Sequence, residues 1–238
     1  IKNNYKVVGT FYKLNTKISQ KYNVSDISSN FEASNNNFDF FIKEAKISGL
    51  DLKSSKVNII KKNKSLFVKV NLITKGEIDK PKAILDNFNL SLKNELVNIS
   101  KISFEINHKI NFMLENYINL KDFSIKGEGK INSFILSNNF KKNIKNYIHN
   151  NNNKILIKNS DLIYSYKKDN YNISLNGILD LAGGDETFTS KLSYNKNLKI
   201  YDFEIFSTIK NLKFSLKNID YKKLDLKKAD LKIVGQYK

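Results

Sequence analysis

The stretch KISFEINHKINFML, residues 101–114, decides the fold. Ile102, Phe104, Ile106, His108, Ile110, Phe112 and Leu114 share one parity, while Ser103, Glu105, Asn107, Lys109 and Asn111 share the other. In an extended chain successive side chains point to opposite faces, so this spacing builds one apolar and one polar face. A helix would scatter the same residues around its axis. The stretch therefore predicts a half-buried β-strand, or a hairpin bent at Asn107–Lys109.

The same period recurs outward in both directions. Leu66, Val68, Val70 and Leu72 follow the turn-like KKNKS, residues 61–65, which separates them from Val57 and Ile59. Downstream, Leu162, Tyr164 and Tyr166 lead through KKDN, residues 167–170, to Tyr171, Ile173, Leu175, Gly177, Leu179 and Leu181. FTSKLSY, the turn NKN and LKIYDFEIF repeat the plan, followed by Leu212, Phe214 and Leu216. Strands joined by tight turns make antiparallel meanders. One Pro and nine Gly leave the turns to Asn, Asp, Ser and Lys.

A ribbon is also written twice. LDLKSSKVNI, residues 50–59, is echoed by LDLKKADLKI, residues 224–233, with Leu50, Leu52, Val57 and Ile59 matching Leu224, Leu226, Leu231 and Ile233. In both copies the apolar parity shifts midway. A bulge or tight turn is expected at Ser54–Lys56 and again at Lys228–Asp230.

One segment has helical rather than alternating spacing. In SNNFKKNIKNYIHN, Phe140, Ile144, Tyr147 and Ile148 fall on one helical stripe, with Ser137 or Asn138 as N-cap. A short amphipathic helix over 139–149 is expected, and the Asn run at 150–153 reads as a loop. The chain then divides into 1–138, a helix and loop over 139–153, and 154–238.

With 238 residues, 40% of them hydrophobic, the chain can bury a core. Cysteine is absent, which removes disulfides and thiolate chemistry. The formal charge of +18 invites a polyanion, but there is no Arg among the 41 basic residues. Lysine lacks the planar fork that clamps phosphates or reads guanine edges. The lysines fall singly or in pairs on the polar side of alternating stretches, so a solvated β face is the expectation and nucleic acid is not. No apolar run approaches the about 18 to 20 residues of a membrane span. An opening Ile and a closing strand-like KIVGQYK predict a piece of a longer polypeptide.

A one-sided antiparallel sheet must cover its apolar face with a second sheet, with helices or with a ligand. Two segments bear on the choice: IKNYIHNNNNKILIKNSDLIYSYKKDNYNISLNGILDL from Ile144, and LKNIDYKKLDLKKADLKIVGQY from Leu216. Together they resemble the central region of the AsmA-like superfamily, in particular its YhdP and TamB branch. Strand-rich repeats there end in A-x-L-x-x-x-G-x-Y. Ala229, Leu231, Gly235 and Tyr237 stand at those places, and Ala45, Ile47 and Gly49 give a shorter version. The resemblance covers about two thirds of the chain. It implies an all-β, elongated, twisted antiparallel sheet forming a groove, a β-taco. It further implies a periplasmic location with an inner-membrane anchor outside this sequence, and phospholipid moving toward the outer membrane. The groove candidates are Ile102, Phe104, Ile106, Phe112, Leu175, Leu179, Phe203, Ile205, Leu231 and Ile233.

Catalytic readings find less support. GGDET, residues 183–187, resembles the GGDEF signature of diguanylate cyclases, but Thr187 replaces Phe and no surrounding α/β pattern accompanies it, so a plain turn is expected. His108 and His149 have no acidic or Cys partner at metal spacing. His108 lies on an apolar parity, where a satisfied core histidine is expected. No carboxylate pair stands out as acid and base. The chain is expected to be no enzyme, to need no cofactor or metal, and to take phospholipid acyl chains as its partner. A β-sandwich binding or adhesin module is the alternative, and a polyanion binder a distant third.

Overall fold

Alternation at this density leaves the backbone extended, and its hydrogen bonds can then be met only by neighbouring strands. The computed structural model describes residues 5–17, 23–47, 50–79, 98–137, 154–180, 184–211, 214–216, 220–224 and 227–237, and every regular element among them is a strand. The helix expected over 139–149 lies outside the described residues. In chain order the strands are β1 (Lys6–Lys17), β2 (Asn23–Ser34), β3 (Asn37–Ile47), β4 (Leu50–Lys62), β5 (Ser65–Asp79), β6 (Asn98–Glu115) and β7 (Asn119–Ser137). They continue as β8 (Lys154–Lys167), β9 (Asn170–Asp180), β10 (Asp185–Asn195), β11 (Ile200–Ile209), β12 (Phe214–Leu216), β13 (Tyr221–Lys223) and β14 (Ala229–Tyr237).

Twelve of them form one open antiparallel sheet in the order β1 to β11 followed by β14, and β12 pairs only with β13. Sequential order is what short turns dictate, since a hairpin needs only a few residues while a crossover needs many. The expected turns are present. KKNKS turns at Asn63, φ 54°, and KKDN turns through Lys168 and Asp169, φ 50° and 61°. Positive φ at both central residues matches the right-handed twist of the flanking strands. β6, by contrast, runs unbroken, so the hairpin at Asn107–Lys109 does not form. Asn107 and Lys109 stay on the polar parity, where Lys109 Nζ reaches Glu128 at 4.0 Å.

The break at Ser54 is a β-bulge. Lys53 pairs with Ile73 and Lys56 with Asn71, so β4 carries one extra residue there, and Ser54 takes φ 47°. The buried Ser55 hydroxyl accepts from the Ile73 N–H at 3.2 Å and donates to the Lys53 carbonyl at 3.2 Å. The orphaned groups of the bulge are thereby satisfied. The second expected break is different: Ala229 and Asp230 already pair in register with Ile209 and Thr208, and Lys227 and Lys228 precede the strand. There the parity shift marks a strand end rather than an inserted residue.

The chain gathers into two compact units. Unit 1 comprises Ile1–Gly76, Glu105–Gly129 and Ile163–Tyr171, and unit 2 comprises Glu77–Phe104, Lys130–Leu162 and Asn172–Lys238. In unit 1 the core is built on Val24, Ala45 and Leu52, flanked by Ile27, Ile42, Ile47 and Leu72. Each fully buried Val or Leu contributes about 2 kcal/mol. The same apolar face continues as an aromatic row in which Phe11 stacks on Phe31 at 5.0 Å and Phe38 tilts against Phe40 at 4.4 Å.

Candidate functional site

The register of β10, β11 and β14 sorts unit 2's side chains into two faces. One carries Phe188, Leu192 and Tyr194, then Tyr201, Phe203, Ile205 and Ile209, then Leu231, Ile233 and Tyr237. Tyr194, Tyr201 and Tyr237 form a ring ladder with centroids 4.6 and 6.2 Å apart. The Phe203 ring lies over Gly235, where an added Cβ would stand 2.4 Å from its tip. An aromatic ring covering a bare edge-strand glycine restores the contact that the missing side chain would make.

The opposite face carries the charged pairs, with Phe206 and Val234 standing exposed among them. Lys232 Nζ meets Glu204 at 2.9 Å, Gln236 donates to Asp202 at 2.7 Å, and the Thr208 hydroxyl donates to Asp230 at 2.8 Å. In unit 1 the polar face likewise carries Lys6–Glu32 at 2.8 Å, Lys56–Asp39 at 3.4 Å and Lys75–Glu105 at 3.0 Å. The exposed ones among these pairs contribute little stability. Their effect is to gather the ion-paired lysines on one face.

The ten sequence candidates divide between the units: Ile106 and Phe112 belong to unit 1, and the rest to unit 2. Phe104 and Ile106 are buried at 7% exposure, and Phe112, Ile102, Leu175 and Leu179 are half-buried. Phe203, Ile205, Leu231 and Ile233 sit side by side on neighbouring strands, with Ile205 directly opposite Ile233. Ile205, Leu231 and Ile233 remain 37%, 38% and 42% exposed, so this part of the apolar face is uncovered by any described residue.

Sequence spacing did not reveal a polar island on unit 1's apolar face. His108 on β6 faces Thr74 on β5 at 2.6 Å through Nε2 and hydrogen-bonds the Tyr164 hydroxyl of β8 through Nδ1. Between them lies Gly127 of β7, where an added Cβ would stand 2.1 Å from the Tyr164 ring. Glycine lets the tyrosine lean across an intervening strand. One proton assignment uses every donor: Tyr164 O–H to Nδ1, Nε2–H to Thr74, and the Thr74 hydroxyl to the Ile106 carbonyl at 3.4 Å. The partners are 34 and 56 residues from His108 in sequence, beyond any local motif. His108 is the satisfied histidine its parity suggested.

Burial holds His108 below its ordinary value of 6.5 and pushes Tyr164 up to about 12. For the histidine, the unfolded chain binds the extra proton first, so stability is full above 6.5 and is lost as pH falls from there through the folded value. For the tyrosine, stability is full below 10 and is lost as pH rises toward about 12. Urea midpoints should therefore plateau between those limits. His108→Gln should flatten the acid limb relative to the parent, and Tyr164→Phe the alkaline limb.

Among the described residues, no three His, Asp or Glu side chains gather closely enough to hold a metal ion. Glu186, in the GGDET segment, is not a turn residue but the second residue of β10, and it is buried at 2% exposure. Its carboxylate accepts the Lys210 N–H at 2.7 Å and the Asn211 N–H at 2.5 Å. That is an anchoring role in which both oxygens are occupied by backbone. Searches of protein-family models, curated proteins and solved structures find no match to this chain.

Proposed function

We infer that this chain is a segment of a bacterial envelope protein that carries phospholipid between the inner and outer membranes along the apolar face of its sheet, which would curve into a groove. The observation that carries this reading is the uncovered apolar strip of β11 and β14, on a sheet whose other side carries the Lys232–Glu204 ion pair and the Thr208–Asp230 hydrogen bond. Monomeric proteins seldom leave a contiguous apolar patch without a use. Each acyl methylene withdrawn from water contributes about 0.8 kcal/mol, so a strip of Phe203, Ile205, Leu231 and Ile233 could hold a chain while its headgroup stays hydrated.

Movement along such a face requires no catalytic group, only continuity of apolar contact without a deep minimum. The resemblance of Ala229, Leu231, Gly235 and Tyr237 to the AsmA-like repeat ending supports the same reading and supplies the periplasmic setting. A β-sandwich needs a second sheet of comparable size over the apolar face. Among the described residues the second sheet has only β12 and β13. The test is covalent capture of phospholipid in cells by a photo-reactive residue on the apolar face, controlled by one on the opposite face.

A further inference from the structure

The turns at one end of unit 1's strands form a rim: Asn35–Asn36, Asn63–Lys64, Asn116–Ile118 and Lys168–Asp169. Contacts hold these turns together. The Lys61 N–H donates to the Asn36 carbonyl at 2.8 Å, the Tyr117 hydroxyl donates to the Asn63 carbonyl at 3.3 Å, and Phe123 packs on Tyr166 at 5.9 Å. At this rim Tyr117, Ile118 and Leu120 are 46%, 81% and 57% exposed, and Ile118 is the most exposed large apolar side chain among the described residues. Around them stand Lys61, Lys62, Lys64, Lys121, Lys167 and Lys168, against Glu115, Asp122 and Asp169. Lys121 is 3.8 Å from Glu115, and the Tyr166 hydroxyl donates to Asp169. Lys64, Lys167 and Lys168 make no ion pair among the described residues.

We propose that this rim docks on the surface of an anionic phospholipid bilayer. A protruding Ile and Leu beside a Tyr, ringed by lysines, match the layered chemistry of that surface. Apolar tips enter the acyl boundary, tyrosine sits at headgroup depth, and ammonium groups on flexible stems reach lipid phosphates. Lys61 Nζ over the Tyr117 ring at 5.6 Å and Lys62 Nζ over Phe67 at 5.7 Å place charge and apolar surface side by side. A nucleic-acid surface would use the lysines but would leave Ile118 and Leu120 in water. Docking does not depend on lipid moving along the sheet face, because the rim would bind a bilayer whether or not the face carries acyl chains.

The experiment is cosedimentation of the full 238-residue chain with phosphatidylcholine vesicles, with or without phosphatidylglycerol. Binding is expected only with the anionic lipid and should weaken as salt shortens the Debye length. Ile118→Asp with Leu120→Asp, or Lys61, Lys62 and Lys64 together changed to Ala, should each weaken it on the order of a hundredfold. Unchanged far-UV circular dichroism would exclude unfolding. A triple change of Lys191, Lys199 and Lys232 to Ala removes equal charge from unit 2 and should change binding only about twofold. Equal loss in that control, equal binding to neutral vesicles, no vesicle binding, or preference for a duplex oligonucleotide would each overturn the proposal. Loss of rim binding with lipid capture retained on β11 and β14 would show the two readings failing separately.

Discussion

Replacing Glu186 by alanine is expected to lower the unfolding free energy by about 2 to 6 kcal/mol, the cost of leaving two backbone donors without acceptors. Its two oxygens hold the N–H groups of Lys210 and Asn211 at the end of β11. The buried Lys223 holds the same turn from its carbonyl side, donating to Lys210 O at 2.7 Å and to Leu224 O at 3.2 Å. Gly184 admits the turn, since an added Cβ would stand 2.4 Å from Asn211 Cβ. Truncating the carboxylate leaves two donors without acceptors, and each orphan costs about 1 to 3 kcal/mol. Thr187→Ala, on the exposed opposite face, should stay within about 0.5 kcal/mol. Urea unfolding monitored by circular dichroism reads both. A loss below about 1 kcal/mol for Glu186→Ala would mean that the turn is held by something else.

Gly129→Val is expected to be similarly damaging, at about 3 kcal/mol or more. A Cβ at Gly129 would stand 2.2 Å from the Glu105 carbonyl oxygen and 2.6 Å from Ile106 Cα, both backbone atoms of the neighbouring β6. Backbone in a paired strand cannot swing aside as a side chain can, so β6 and β7 must part locally. Gly9 supplies the contrast. There the obstructing atoms are the Phe31 ring at 2.5 Å, which can rotate away, so Gly9→Ala should cost about 1 kcal/mol or less. Equal losses at the two glycines would contradict this distinction between backbone and side-chain obstruction.

The alternation of residues 101–114 and the Asn- and Lys-rich turns made the strands and their sequential pairing legible, because parity and turn chemistry are local properties. Slips of parity within a strand were harder to read. β1, β2, β4, β7 and β8 each contain a non-glycine residue at positive φ, namely Lys13, Asp26, Ser54, Asp122 and Asn159. The break at Ser54 shows as a shift in apolar parity, whereas at Asn159 the apolar Leu156 and Ile163 on the other parity mask it. Yet residues 155–164 repeat residues 50–59 at that very feature: Lys158-Asn159-Ser160 matches Lys53-Ser54-Ser55. In both, the buried serine hydroxyl donates to the lysine carbonyl two residues back, at 3.0 and 3.2 Å. The informative echo was therefore at the bulge, and 224–233 shares only its apolar outline.

The candidate face was legible as a parity but not as an exposure. Parity places Phe104 and Ile233 alike on apolar faces, but only the register of neighbouring strands makes one 7% and the other 42% exposed. Long-range partnerships such as His108 with Tyr164, or Glu186 with Asn211, are set by which strands become neighbours. A single-sequence pattern does not carry that information.

Whether acyl chains lie on the apolar face is tested most directly by photo-crosslinking at Phe203, Ile233 and Val234. Ile233 and Val234 are adjacent, apolar and 42% and 65% exposed, but they point to opposite faces of β14. Greater exposure favours Val234 in any non-specific reaction, so face alone can reverse the order. Capture of phospholipid in cells is expected at Phe203 and Ile233 and not at Val234. Equal or greater capture at Val234, or none at Phe203 and Ile233, would contradict a lipid-carrying face.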